Sequence, residues 1–185
     1  MNTVTTQRGV RLSAINPKEA QGKTKELLDV VQAKLGLVPN LMRPLAHSPA
    51  ALEAYLQFSG TLAKGVLDVK TREAIALVVA QSNSCTYCVS AHTFIGSKSG
   101  MQESEILESR KGFAADPKTA AILKFVGLVV KSRGVVNDVE VDELRTKGVS
   151  DAEIAEIVAN ISLNIYTNYF NLVAQTEVDF PRIQL

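Results

Sequence analysis

The two cysteines of this chain and one of its two histidines fall within eight residues of each other. Cys85 and Cys88 are separated by two residues, and His92 follows four residues after Cys88. On a helix these positions share one face, because residues three, four and seven apart lie one above the other. Two thiols beside an imidazole can carry out thiol–disulfide chemistry or bind a metal ion. This stretch is therefore the main candidate for a functional site.

A redox function is the interpretation that these residues favour. A Cys-x-x-Cys pair near the start of a helix has an acidified thiol, because the free N–H groups and the helix dipole stabilise the thiolate. Asn83 and Ser84 are good N-cap residues directly before Cys85 and predict that the cysteine helix begins there. One cysteine would then attack a peroxide and the other would resolve the sulfenic acid as a disulfide. His92 would take or relay the proton.

Three other interpretations of the cysteines stay open. A structural disulfide across this four-residue loop would stabilise the fold by only about 2 kcal/mol on the chain-entropy account. A metal site would draw a fourth ligand from Glu73 or His47, but zinc ribbons usually have a second Cys-x-x-Cys, and this chain has none. The cysteines could also be ordinary buried residues beside a satisfied core histidine. We prefer the redox interpretation and predict no metal and no cofactor.

Glu73 is the acidic residue that we expect to act together with His92. On one straight helix, its twelve-residue separation from Cys85 would place the two about 18 Å apart. If the chain instead reverses between residues 81 and 84, two antiparallel helices bring Glu73 level with His92. A carboxylate beside an imidazole fixes its orientation and supports its action as a base. The result would be a proton relay from Glu73 through His92 to Cys88. The alternative is that Glu73 only interacts favourably with the positive end of the helix dipole near Asp68.

Length and composition predict one domain that is not dedicated to nucleic acid or membranes. Hydrophobic residues make up 46% of the 185 residues, which is ample for a core. Twenty basic and nineteen acidic residues give a net charge of +1, so no basic surface for nucleic acid or acidic lipid is indicated. The polar N-terminus shows no signal-like segment, and no apolar run is long enough to span a bilayer. We therefore expect a cytoplasmic protein, in which a Cys-x-x-Cys is more often catalytic than structural.

Capping residues recur along the chain and predict an all-α bundle. No segment alternates convincingly between apolar and polar residues, as a half-buried strand would. Capped helices are predicted over about 16–35, 49–65, 69–81, 84–99, 102–110, 117–132 and 151–176, with a further capping box at Asn137. Residues 1–15 are predicted to form an N-terminal arm, residues 16–185 a single helical domain, and Pro181 ends a short tail.

An internal repeat is visible when the sequence is shifted by 83 residues. The shift places Gly65-Val66-x-Asp68 on Gly148-Val149-x-Asp151. It also places Glu73, Cys85, Cys88 and His92 on Glu156, Asn168, Asn171 and Gln175. A duplicated helical unit that keeps its chemistry in the first copy would produce this pattern. Chance agreement between two capped amphipathic helices is the alternative.

The spacing of these residues resembles the AhpD-like alkylhydroperoxidase family, within the carboxymuconolactone decarboxylase superfamily. The family pattern of a glutamate, eleven residues, Cys-x-x-Cys, three residues and a histidine is met by Glu73, Cys85-Thr86-Tyr87-Cys88 and His92. Asn83 and Ala91 also match the peroxidase-related branch, as do the segments Val38-Pro39-Asn40-Leu41 and His47-Ser48-Pro49. The resemblance covers most of the chain from about residue 30.

The resemblance implies an all-α homo-oligomer whose cysteine pair reduces alkyl hydroperoxides. It gives Cys88 the peroxidatic role and Cys85 the resolving role, with Glu73 and His92 as the proton relay. It also implies a thiol or lipoyl-bearing reductant as the partner. One residue departs from the best-known members, which carry a second histidine where this chain has Tyr87. A phenol with a pKa of about 10 cannot replace that histidine as a base near neutrality.

Several further residues are candidates for a pocket or an interface. Tyr87, Asn83 and His47 are candidate pocket residues, although a surface or capping role suits His47 as well. The aromatic and asparagine side chains late in the last helix fit a core or subunit-contact face, and they are Asn164, Tyr166, Asn168, Tyr169, Phe170 and Asn171. The decarboxylase branch lacks the Cys-x-x-Cys, so decarboxylation is not expected. The alternative to an enzyme is a non-catalytic binding module that responds to redox state or metal.

Overall fold

The computed structural model describes residues 9–185, and every regular element in that part of the chain is a helix. The helices are α1 (Gly22–Leu35), α2 (Met42–Leu45), α3 (Pro49–Leu62), α4 (Val69–Ser82), α5 (Thr86–Lys98), α6 (Glu103–Arg110), α7 (Pro117–Ser132), α8 (Asp138–Thr146) and α9 (Asp151–Ala174). The predicted all-α class is therefore confirmed. Across the same residues, no helix is long and apolar enough to cross a membrane.

Side-chain caps start several helices where the sequence predicts them. The Asp68 carboxylate accepts a hydrogen bond from the Thr71 N–H, and Asp116 does the same at the start of α7. Capping boxes are present at Asn137 and Ser150. These acceptors satisfy N–H groups that have no partner within the helix. The predicted starts of α4, α7, α8 and α9 are thus confirmed.

The start of the first helix was predicted wrongly. Asn16 forms a single turn, in which its side-chain amide donates to Glu19 Oε1 at 2.8 Å, but α1 begins only at Gly22. Gln21 has an extended backbone with φ of −131°, and this residue separates the turn from the helix. A local cap therefore formed without nucleating the helix that it was expected to start.

Helix α4 lies at the centre of the bundle. Each residue from Ala74 to Ala80 is buried, and α4 contacts α5, α6, α7 and α9. A helix that is apolar on all sides is stable only when neighbours cover every face. Because Glu73 directly precedes this run, its carboxylate is held at a fixed position beside the cysteine helix.

The segment after α9 packs against the cysteine helix. The Phe180 ring meets the Tyr87 ring edge-on, with centroids 5.7 Å apart. The Ile183 N–H donates to Ser90 Oγ at 3.0 Å, and the Arg110 guanidinium donates to the Gln184 carbonyl at 2.7 Å. The sequence predicted only a short tail here, whereas the structure makes this segment part of the wall around α5.

The predicted N-terminal arm is described in part. Residues 1–8 of the arm lie outside the described residues, so their prediction has no structural counterpart. In the remainder, the Arg11 N–H donates to the Ala174 carbonyl at 2.9 Å and the Ile15 N–H donates to the Arg43 carbonyl at 3.3 Å. This part of the arm therefore contacts the end of α9 and α2. The division into an arm and a domain at residue 16 stays a prediction.

The two halves of the predicted repeat follow different chain paths. The first half forms α4 and α5 with a reversal between them, whereas the second half is the single helix α9. The 83-residue shift thus aligns the sequence of two antiparallel helices with the sequence of one continuous helix. The duplication stays a prediction, and any common structure is confined to α4 and the first part of α9.

Gly65 lies so close to the Glu156 carboxylate that a side chain at this position would displace it. A Cβ atom there would lie 2.3 Å from both carboxylate oxygens of Glu156, which accept hydrogen bonds from the Val66 and Leu67 N–H groups. Gly65→Ala would push this carboxylate away, and we expect a loss of about 1–3 kcal/mol in the free energy of unfolding. Chemical denaturation measures the loss. Gly60→Ala is the matched control, since its Cβ meets nothing within 4 Å and alanine favours the helix.

Candidate active site

A sharp reversal of the chain between α4 and α5 places the two cysteines. Asn83 ends α4 as its C-cap, and Ser84 turns the chain with a left-handed φ of 53°. Cys85 is then the N-cap of α5, and its sulfur accepts the Cys88 N–H at 3.3 Å. The reversal lies where it was predicted, but the predicted caps Asn83 and Ser84 were wrong. The turn uses both residues, so the first position with an extended cap backbone is Cys85 itself.

The sulfur atoms of Cys85 and Cys88 lie within disulfide distance of each other, and their Cα atoms are 5.4 Å apart. Both side chains are buried, with 1% and 3% exposure. Only Cys88 borders the adjacent cavity. Its sulfur also accepts a hydrogen bond from the Asn171 side-chain amide at 3.3 Å. The two thiols thus have different surroundings although they are three residues apart.

Glu73 and His92 are in direct contact. His92 Nδ1 lies 2.8 Å from Glu73 Oε2, and the two side chains are 21% and 14% exposed. The contact expected from two antiparallel helices is therefore present. With the Nδ1–H donating to the carboxylate, Nε2 is the ring nitrogen left to accept a proton. The carboxylate also limits how the imidazole can turn.

A cavity of about 410 Å³ lies among α1, α3, α4, α5 and α9. Cys88, His92, Glu73 and Tyr87 all border it. Most of its wall is apolar, including Val30, Val31, Leu35, Leu56, Leu62 and Ile95. Helix α9 supplies a polar strip of Asn160, Asn164, Thr167 and Asn171. The arrangement suits a small, mainly apolar molecule whose reactive polar end faces Cys88 and His92.

Tyr87 is a structural part of the cavity wall. Its hydroxyl accepts the Leu41 N–H at 3.1 Å, and its side chain is only 5% exposed. Burial raises the pKa of Tyr87 above its ordinary value, with a further contribution from Asp179. The hydroxyl therefore stays protonated across the physiological range and does not act as a base there.

Two candidate pocket residues, His47 and Asn83, do not border this cavity. His47 is exposed, and its Nε2 lies 2.8 Å from the Ser13 carbonyl oxygen. The Asn83 amide donates to Asn168 Oδ1 at 3.0 Å and joins the reversal to α9. Long-range partners engage both side chains elsewhere, and the exposure of His47 agrees with the surface or capping role that the sequence favoured for it.

The metal alternative finds no ligand cluster in the described part of the chain. Among residues 9–185, no group of three or more His, Cys, Asp or Glu side chains could hold a metal ion. Glu73 is engaged by His92, and the two sulfurs are next to each other. His47 lies apart, against Ser13.

Sequence reasoning missed three titratable residues of the cavity, which are Lys34, Tyr55 and Arg72. Tyr55 borders the cavity from α3, and burial together with the nearby Glu73 carboxylate raises the pKa of Tyr55 to about 12. No sequence signal distinguished it from other residues of an amphipathic helix. Asn164 and Asn171 were predicted to belong to a core or subunit-contact face, and both are indeed buried, with the cavity on one side of them. The 83-residue shift aligned Asn171 with Cys88 in sequence but gave no indication that the two side chains meet.

Comparisons with known proteins agree with this geometry. The model of the carboxymuconolactone decarboxylase family matches residues 49–131, which include Cys85, Cys88, Glu73 and His92. An uncharacterised protein of Haemophilus influenzae is 51% identical over 45 residues, which are 24% of this chain and 40% of that protein. The alignment thus spans less than half of that relative's length.

Solved structures share the fold over nearly the whole chain. An AhpD-core, peroxidase-related protein of Ralstonia eutropha JMP134 has a TM-score of 0.83 at 23% identity, covering 94% of each chain. A peroxidase-related protein of Silicibacter sp. TM1040 has a TM-score of 0.79 at 22% identity, also covering 94% of each. The debrominase Bmp8 in complex with 2,3,4-tribromopyrrole has a TM-score of 0.76 at 17% identity, covering 97% of this chain and 93% of its own. At these identities the likeness shows the fold.

The family model covers α3 to most of α7, and the solved structures share the fold from α1 to α9. Residues 49–131 thus match the carboxymuconolactone decarboxylase family, and the chain has the fold of the AhpD-like, peroxidase-related structures.

Proposed function

We propose that this protein is a thiol peroxidase that reduces organic hydroperoxides with Cys88 and Cys85. One observation carries the proposal. Cys88 borders an apolar cavity together with the hydrogen-bonded His92 and Glu73, while Cys85 lies at disulfide distance from it. An attacking sulfur, a base and a resolving sulfur are thus grouped at one end of a cavity of about 410 Å³.

The first step is attack of the Cys88 thiolate on the terminal oxygen of the hydroperoxide. A sulfur–oxygen bond forms, the oxygen–oxygen bond breaks, and the alkoxide leaves with a proton as the alcohol. Cys88 is oxidised to a sulfenic acid and the peroxide is reduced. The Cys85 thiolate then attacks the Cys88 sulfur, so that a disulfide forms and the sulfur–oxygen bond breaks. The hydroxide takes up the proton that the Cys85 thiol had released and leaves as water. An external dithiol restores both thiols and is itself oxidised to a disulfide.

His92 is the residue that we assign to proton transfer. It accepts a proton as the Cys88 thiolate forms and can return it to the leaving alkoxide. Among the described residues, the hydrogen bond to the Cys88 sulfur comes from Asn171, and His92 shares only the cavity wall with it. The proton would therefore pass through a molecule held in the cavity. Glu73 holds the imidazole in the orientation that this transfer needs.

The partners remain part of the proposal. The reductant is a thiol or lipoyl-bearing donor, as the family resemblance implies, and homo-oligomer formation stays a prediction. Tyr87 contributes no second base, because its hydroxyl is buried and protonated. Turnover is thus expected to depend on His92 alone for proton transfer at neutral pH.

A peptide map of free thiols tests the proposal against the binding-module alternative. The reduced protein is treated with one equivalent of cumene hydroperoxide, alkylated, digested and analysed by mass spectrometry. We expect both free thiols to disappear together and one peptide to carry an intramolecular Cys85–Cys88 disulfide. A parallel sample without peroxide controls for oxidation by air. Thiols that persist at the level of that control, with stoichiometric zinc bound, would instead support the metal-responsive module.

A further inference from the structure

The side-chain amide of Asn171 is the only described polar group of α9 that contacts a cysteine sulfur. Its Nδ2 lies 3.3 Å from Cys88 Sγ, and the side chain is 4% exposed. The Asn171 carbonyl oxygen Oδ1 is buried and finds no hydrogen-bond partner within the described residues. An unpartnered buried carbonyl opposes stability, so a leucine of similar size would be favoured here if packing were the only demand.

The position of this amide is set by rigid neighbours. Asn171 lies in the last turn of α9, where its backbone carbonyl accepts the N–H groups of Gln175 and Thr176. One turn earlier, Asn168 accepts the Asn83 amide and so joins α9 to the reversal that carries the cysteines. The end of α9 and the reversal before α5 are thus joined by a hydrogen bond one turn away, which keeps the Asn171 amide next to the Cys88 sulfur.

We propose that Asn171 is a positioning residue that stabilises the anionic sulfur of Cys88. An N–H group that donates to sulfur favours the thiolate over the thiol, because the hydrogen bond is stronger to the charged form. The same donor would stabilise the oxygen of a sulfenate after attack on peroxide. No hydrogen bond from Asn171 reaches Cys85, so the effect selects one cysteine of the pair.

Other charged and titratable groups also face this sulfur across the cavity. They line the cavity from four helices, and they are Lys34 of α1, Tyr55 of α3, Arg72 and Glu73 of α4, and Tyr87 and His92 of α5, with Asp179 beyond Tyr87. These groups act on Cys88 with or without the Asn171 amide. A test must therefore hold them constant and change Asn171 alone.

The inference deepens the proposed peroxidase and rests on it for its biological meaning, but its physical content can be measured without peroxide. In a Cys85→Ser background, Cys88 is the single thiol. The rate at which iodoacetamide alkylates Cys88 is measured against pH in two proteins of this background, one that keeps Asn171 and one that carries Asn171→Leu. We expect the midpoint of the profile to rise by about one pH unit in Asn171→Leu, which is a tenfold loss of thiolate below the midpoint.

Two further variants keep the test decisive. Asn171→Asp retains the shape of the side chain and adds a negative charge, so its midpoint should rise more than that of Asn171→Leu. The matched control is Asn171→Leu in a Cys88→Ser background, where Cys85 is the single thiol and its profile should not move. Circular dichroism of each variant establishes that the helices are intact.

The outcomes separate this inference from the proposed function. An unchanged Cys88 profile in both folded variants overturns the inference, and so does an equal shift at Cys85. A shift confined to Cys88 supports it, even if the parent protein fails to consume peroxide, in which case only the proposed peroxidase is lost. A parent that consumes peroxide with no shift in either variant retains the peroxidase and loses the role of Asn171.

Discussion

Cys88→Ser is expected to abolish hydroperoxide consumption, whereas Cys85→Ser is expected to leave a sulfenic acid on Cys88. The reason is access, because Cys88 borders the cavity and Cys85 does not. Loss of a nucleophile commonly lowers turnover by ~10³-fold or more, so Cys88→Ser should fall to the uncatalysed rate. Labelling with a cyclic diketone after one equivalent of peroxide, followed by peptide mapping, locates the sulfenic acid.

The opposite assignment has a physical argument in its favour, which makes this test informative. Cys85 is the N-cap of α5, where N–H groups and the helix dipole stabilise an anion. If Cys85→Ser loses peroxide consumption and Cys88→Ser keeps most of it, the effect of the helix N-terminus on the Cys85 thiol outweighs the access of Cys88 to the cavity, and the roles are exchanged.

Comparison of Cys85→Ser with Cys85→Ala separates the chemical function of Cys85 from its function as the N-cap. Serine can keep the cap, whereas alanine removes it and should cost about 1 kcal/mol of stability.

The contact between Glu73 and His92 could be predicted because it depends on helix geometry alone. Once a reversal is assumed, equal rise per residue on both helices fixes which residues come level. The apolar run from Ala74 to Ala80 is buried on every side in the structure, as a helix that is apolar all round requires. Periodicity and capping thus predicted most of the described helices and this pair of residues, but not the short helix α2 or the start of α1.

The helix start beside the cysteines could not be predicted from cap propensities. Asn83, Ser84 and Cys85 each offer a side-chain acceptor, and propensity favours the first two. The structure uses Ser84 for a left-handed turn, because the chain must reverse within three residues to return along α4. Tertiary geometry therefore decided between local signals of similar strength.

The cavity wall depended on contacts between residues far apart in sequence. His47 contacts the Ser13 carbonyl oxygen and so does not border the cavity. The buried amides of α9 lie at the site because α9 packs against α4 and α5. Tyr55 lies near Glu73 because α3 packs against α9, which itself contacts α4. Spacing along one chain segment carries no information on such pairings, so these residues required the structure.

Glu73→Gln and His92→Asn are expected to lower the rate of Cys88 oxidation by about 10²–10⁴-fold near neutral pH. The Nδ1–H of His92 donates to the Glu73 carboxylate at 2.8 Å. Glutamine keeps an acceptor oxygen but loses the negative charge, so the hydrogen bond that holds the imidazole toward the cavity is weaker, and His92→Asn removes the imidazole itself. Tyr87 cannot act in its place, since burial raises the pKa of its hydroxyl. Stopped-flow measurement of thiol loss after mixing with peroxide, at a series of pH values, gives the three profiles.

The shape of these profiles distinguishes the relay from a structural effect. A thiol ionises without a base above its ordinary pKa of about 8.5, so the variants should approach the wild-type rate as the pH rises. A structural defect would lower the rate at every pH. Glu156→Gln is the matched control, because Glu156 occupies the position of Glu73 in the 83-residue register but holds only the Val66 and Leu67 N–H groups. That variant should lose stability and keep the wild-type profile.

Superimposable profiles for wild type, Glu73→Gln and His92→Asn would mean that the thiol reacts without the relay. The helix N-terminus at Cys85 and the Asn171 amide would then be the remaining groups that activate the thiol.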